Sequence, residues 1–120
     1  MAVVMLKNIL WRVLVNGLGL WIAARLLGDV NYGGSLWVIL VAAIIFSLVN
    51  TFIKPIITLL SLPAIILSLG LFMLVINGFM LYLVTAIYPS FVVDSFSGAL
   101  VTVIIIWLVN FGLSAVIDKD

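Results

Sequence analysis

At 120 residues, 68% hydrophobic and 8% charged, the chain lies far from the soluble norm of about half apolar and a quarter charged. Its net charge of +1 gives no electrostatic footprint for nucleic acid. Cysteine and histidine are absent and all four acids are aspartates, Asp29, Asp94, Asp118 and Asp120, at or beyond the expected helix ends; this argues against an enzyme and implies no cofactor and no metal.

Residues 36–88 carry one formal charge, Lys54. As a single helix they would extend roughly 80 Å, against a hydrocarbon core of about 30 Å, so the segment must cross a bilayer, turn and cross again. The first predicted span covers about residues 8–27 and closes at Gly28-Asp29 and the polar stretch through Asn31, Gly33, Gly34 and Ser35. Lys7 and Arg12 before an apolar run imitate a signal peptide, yet Arg25 occupies the expected cleavage region, so this segment is read as a retained span. The second span, about residues 36–53, ends at Lys54-Pro55, where proline disfavours helix in the residue before it.

Residues 55–68 are apolar but punctuated by Pro55, Ser61 and Pro63. Lys54-Pro55 starts a short helix, and Ser61 with Pro63 caps and starts the next. This connector is either interfacial or re-entrant; the second reading needs its backbone buried in protein or facing water. A third span ends at Tyr88, before Pro89-Ser90, and a fourth runs from about Phe96 to Ile117, stopping at Asp118-Lys119-Asp120. Lys7, Arg12, Lys54 and Lys119 then share one side, which makes both termini cytoplasmic in a bacterial inner membrane, while Asp29 and Asp94 lie opposite. Trp11, Trp37, Tyr32 and Tyr88 fall near boundaries as interfacial anchors do.

Leu14-Val15-Asn16-Gly17 matches Val75-Ile76-Asn77-Gly78, and Leu48-Val49-Asn50 matches Leu108-Val109-Asn110, at offsets of 61 and 60 residues. The expected fold is therefore an all-α integral membrane domain over residues 1–120, with four transmembrane helices as two duplicated hairpins. Repeat 1 covers about 8–53, the connector 54–68 and repeat 2 about 69–117. Each repeat holds two spans, so both enter from the same side, a parallel repeat.

An amide in hydrocarbon costs several kcal/mol unless paired, so Asn16, Asn50, Asn77 and Asn110 are expected to face the bundle interior. Small residues share their faces, Gly19 and Ala23 with Asn16, Ala43 and Ser47 with Asn50. The amides either glue the helices together or line a polar pore. Arg25 lies near the outer surface, where it snorkels, with Asp29 as an i+4 partner; attraction of anions to a vestibule is the functional alternative.

Leu48-Val49-Asn50-x-x-Ile53-Lys54-Pro55-Ile56, Leu59-Leu60-Ser61-Leu62-Pro63 and Leu69-Gly70-Leu71-Phe72-x-x-Val75-Ile76-Asn77 resemble the phage holin 4 superfamily, in its branch of small YvlD-like four-span bacterial membrane proteins. The resemblance covers nearly the whole chain and is most specific over residues 50–77. It implies membrane permeabilisation through self-assembly and supplies no catalytic residues. Three functions follow as expectations: a structural or accessory membrane protein, a self-associating pore, or a small-solute transporter, the last disfavoured because no carboxylate lies mid-span. The expected partners are membrane lipids and either further copies of the chain or a larger membrane complex.

Overall fold

Helices dominate the computed structural model, which describes residues 2–28 and 30–117. The elements run α1 (Ala2–Leu26), β1 (Val30–Asn31), α2 (Leu36–Phe52), α3 (Lys54–Leu60), α4 (Leu62–Leu67), α5 (Leu71–Ile87), β2 (Val92–Val93) and α6 (Phe96–Ile117). Each long helix buries one stripe at helical spacing: Val15, Asn16, Gly19, Leu20 and Ala23 on α1, and Gly98, Ala99, Thr102, Val103 and Ile106 on α6. The small residues in these stripes let backbones approach closely. Helix α1 packs against α2 and α6, and α5 closes the ring against α6 and α2.

Outward faces are apolar as well. Leu10, Leu14 and Leu18 on α1, and Val101, Ile104 and Leu108 on α6, are all exposed. In water such a surface is an aggregation hazard; in hydrocarbon it is ordinary lipid contact.

Length separates the helices. With 25 and 22 residues, α1 and α6 are each long and apolar enough to cross a membrane. Helix α2, at 17 residues, reaches that length only together with α3 across a 44° bend, and α5 has 17 residues. At about 1.5 Å per residue, 17 residues rise about 25 Å, a few ångströms short of the hydrocarbon core, a mismatch that local bilayer thinning accommodates. Four spans are expected; among the described residues two helices are long enough by themselves, or three with the bent pair counted as one span.

The polar stretches read only as loops contain an antiparallel pair. Val30 lies opposite Val93 and Asn31 opposite Val92. This ladder ties the α1–α2 turn to the α5–α6 turn, so both hairpin tips lie at one end of the bundle. The start of α1, the connector and the end of α6 lie at the other. Asn31 Oδ1 accepts the Gly33 N–H at 2.8 Å in a turn where Gly33 and Gly34 both have positive φ. Phe91 and Val93 are fully buried beneath the ladder.

In the connector, Pro55 and Pro63 occupy the first turns of α3 and α4, where no N–H is needed. Ser61 separates the two helices, but its hydroxyl caps neither. A capping serine is normally extended, whereas Ser61 has φ −101° and ψ 5°. Helix α4 ends in a Schellman motif: Gly70 N–H bonds Ile65 C=O at 2.9 Å and Leu69 N–H bonds Ile66 C=O at 3.2 Å. The left-handed position is held by Leu69, at φ 57°, where glycine is usual; this costs about 1 kcal/mol.

Candidate functional site

Away from the hairpin tips the four long helices surround a cavity of about 400 Å³, and Asn16, Asn50, Asn77 and Asn110 all line it. Helical spacing carries charge and hydroxyl to the same wall. Arg12 precedes Asn16 by four residues, Lys54 follows Asn50 by four, and Ser114 follows Asn110 by four, and all three line the cavity. Trp11 and Trp107 flank it.

Burial grades along this vestibule. Asn16 and Asn77 are buried, Asn50 and Lys54 half-buried, and Asn110 and Arg12 exposed. Asn110 therefore sits toward the mouth and not in the interior like Asn16 and Asn77. Its Oδ1 accepts the Trp11 indole N–H at 3.2 Å, a link between α1 and α6 at the cavity mouth that the boundary position of Trp11 did not reveal.

The buried amides are satisfied differently. Asn16 donates to Ser47 Oγ at 2.9 Å, and Ser47 donates on to the Ala43 carbonyl at 2.7 Å, a buried bridge between α1 and α2. Asn50 and Asn77 turn back on their own helices, donating to the Phe46 and Met73 carbonyls at 2.9 and 2.8 Å. At the 60-residue offset Trp107 stands where Ser47 does, so the hydroxyl partner of Asn16 has no counterpart for Asn77. Among the described residues Asn50 Oδ1 is buried with no hydrogen-bond partner. An unmet acceptor of this kind costs about 1–3 kcal/mol.

Electrostatically the vestibule is positive. Burial and the charge of Arg12 both work against the Lys54 ammonium. Among the described residues no carboxylate lines the cavity, and no three His, Cys, Asp or Glu side chains gather to hold a metal ion. The packing beneath the cavity, its floor, is mostly apolar: Leu20, Ala23, Met80, Leu81, Val84, Ala99 and Val103 are 0–1% exposed, and of these Val103 lines the cavity itself. Toward the ladder the hydroxyls of Thr102 and Thr85 are engaged by the Gly98 carbonyl and the Val93 N–H, so among the described residues the cavity meets close packing there and forms a blind vestibule.

Arg25 lies elsewhere, its guanidinium 5.0 Å from the centre of the Trp21 ring, a cation–π contact. Asp29, its expected partner, lies outside the described residues, as do Asp118, Lys119 and Asp120. Lys54 and Pro55 open α3, and of the connector residues only Lys54 reaches the cavity. Arg12 and Ser47 are the residues that sequence reasoning undervalued. Arg12 stood out only as an orientation charge, and Ser47 only as a small neighbour of Asn50; the i+4 spacing of Arg12 to Asn16 was the available signal.

Residues 7–111 match the family model described as mycobacterial 4 TMS phage holin, superfamily IV. An uncharacterised protein of Streptomyces coelicolor is 37% identical over 119 residues, covering 92% of this chain and 95% of that protein. The uncharacterised membrane protein YvlD of Bacillus subtilis is 33% identical over 89 residues, covering 73% of this chain and 74% of its own length. No solved structure matches the chain significantly.

Proposed function

We propose, given that this chain belongs to the superfamily IV phage holin family, that it is a structural or accessory integral membrane protein without catalytic activity. It crosses the bacterial cell membrane four times as two hairpins of like orientation, with both chain ends and the vestibule on the cytoplasmic side. The observation that carries this reading is the blind vestibule: seven side chains of the floor, Leu20 and Met80 among them, are 0–1% exposed, so water has no polar path through one chain. Asn16, through Ser47, and Asn110, through Trp11, act as ties between helices, each worth about 0.6–2 kcal/mol. Lys7, Arg12 and Lys54 lie at the end opposite the hairpin tips, which favours that end as cytoplasmic.

The holin description of the family favours a second reading, in which copies associate through exposed faces such as Trp107, Leu108 and Phe111 of α6 and open a path between protomers. Reconstitution separates the two. Liposomes loaded with a small fluorescent anion should retain it at about one chain per vesicle and also at high protein density. Leakage at single-chain density contradicts the blind vestibule, while leakage that rises steeply with density transfers the function to an assembly.

A further inference from the structure

The vestibule combines features that a role as internal tie does not use. Two cations from separate elements, Arg12 of α1 and Lys54 of α3, face one cavity with no carboxylate among its described lining. Simple orientation of the chain in the membrane would be served equally well by cations pointing into water, as Lys7 does. Instead Lys54 is half-buried, and the Arg12 charge acts on it. A half-buried ammonium beside a second cation is unfavourable unless an anion compensates the pair.

Size and polarity narrow the anion. A volume of about 400 Å³ falls in the range of small-molecule pockets, about 300–1,000 Å³, and is ample for more than a halide. The guanidinium fork fits two oxygens of a tetrahedral oxyanion, with an ammonium as a second point charge. Acceptors are available beside the cations. The Ser114 hydroxyl lies on the same wall, and Asn50 also lines the cavity; its Oδ1, buried and without a partner among the described residues, would meet a ligand once the amide turned toward the cavity. Such groups call for a ligand that also carries O–H donors.

We propose that the Arg12–Lys54 vestibule binds a hydroxyl-bearing phosphate ester of the size of glycerol phosphate, with the phosphate on the two cations and the hydroxyls toward Asn50 and Ser114. That chemistry comes either from a soluble phosphate ester or from the headgroup of phosphatidylglycerol in the cytoplasmic leaflet. The inference deepens the reading above, since a blind, cytosol-facing cavity is a binding place and not a conduit.

Full-length protein in a neutral detergent is titrated with glycerol 3-phosphate while tryptophan fluorescence is followed, Trp11 and Trp107 serving as reporters at the cavity wall. Saturable binding is expected, competed by inorganic phosphate and not by glycerol. In parallel, protein from nanodiscs of phosphatidylglycerol or of phosphatidylcholine is examined by native mass spectrometry for one retained lipid. Binding of the soluble ester assigns the site to a cytosolic ligand; retention of phosphatidylglycerol alone assigns it to the lipid. In whichever arm binds, Arg12→Gln and Lys54→Gln should each weaken binding at least tenfold, with Lys7→Gln leaving it unchanged. Binding in neither arm, or equal loss in Lys7→Gln, overturns the site. Ion flux through single chains would instead overturn the blind vestibule, so the two failures are distinguishable.

Discussion

Gly19→Ala is expected to lower the thermal unfolding temperature of the detergent-solubilised protein sharply, at a cost of about 1–3 kcal/mol. A Cβ at Gly19 would lie 3.0 Å from the Ile106 Cα and closer still to its side chain, so relief requires α1 and α6 to move apart as backbones. The neighbouring glycines supply the scale. At Gly78 the obstacle is Leu100 Cδ2 at 2.8 Å, the end of a side chain that can turn away, and Gly78→Ala should cost less. At Gly17 the nearest atom is Ala43 Cβ at 3.6 Å, ordinary contact, and Gly17→Ala should melt with the wild type. Equal melting of the Gly19 and Gly17 variants would contradict the close crossing of α1 and α6.

The larger loss is expected at the other end of the bundle. Phe91 is fully buried although it belongs to the α5–α6 turn, and with Val93 it anchors the ladder to the helices. Phe91→Ala removes a whole ring from a filled site, which typically costs about 3–5 kcal/mol. Denaturant or thermal unfolding followed by circular dichroism should register that loss, with the β1–β2 end loosening first. A variant as stable as the wild type would mean that the turns are held by the helices alone and that the ladder closes nothing.

Much of this was legible in the residues, for identifiable reasons. Helix α6 has the bounds Phe96–Ile117 read from its apolar run, because polar punctuation brackets it on both sides. Helix α1 begins at Ala2 and not near residue 8, since residues 2–6 are apolar and Ala2, Met5, Leu6 and Lys7 are good helix formers, so the Lys7 charge does not interrupt the helix. The ladder escaped notice because two paired residues leave no period to detect. Ser61 was legible as a break, through Pro63, but not as a failed cap, which depends on backbone angles.

The site was legible in its amides and hidden in its charges. The offset matches pointed to Asn16, Asn50, Asn77 and Asn110, and these converge on one cavity. What the sequence does not express is depth: Asn16 is 7% exposed, whereas Asn110 is exposed at the mouth. Nor does it express how differently two positions 60 residues apart are used. Ser47 and Trp107 occupy equivalent places, yet one completes a buried hydrogen bond and the other borders open space.

The chain contains no cysteine, so single thiols report its geometry without background. Ser90→Cys marks the hairpin tips, Ser114→Cys the vestibule, and Thr102→Cys the floor, where the native side chain is 0% exposed. A membrane-impermeant maleimide applied to spheroplasts and to inverted vesicles should label Ser90→Cys from outside only, Ser114→Cys from the cytosolic face only, and Thr102→Cys from neither. Labelling of the first two from one side, or of Thr102→Cys from any side, would contradict a bundle whose polar vestibule is closed toward the outside.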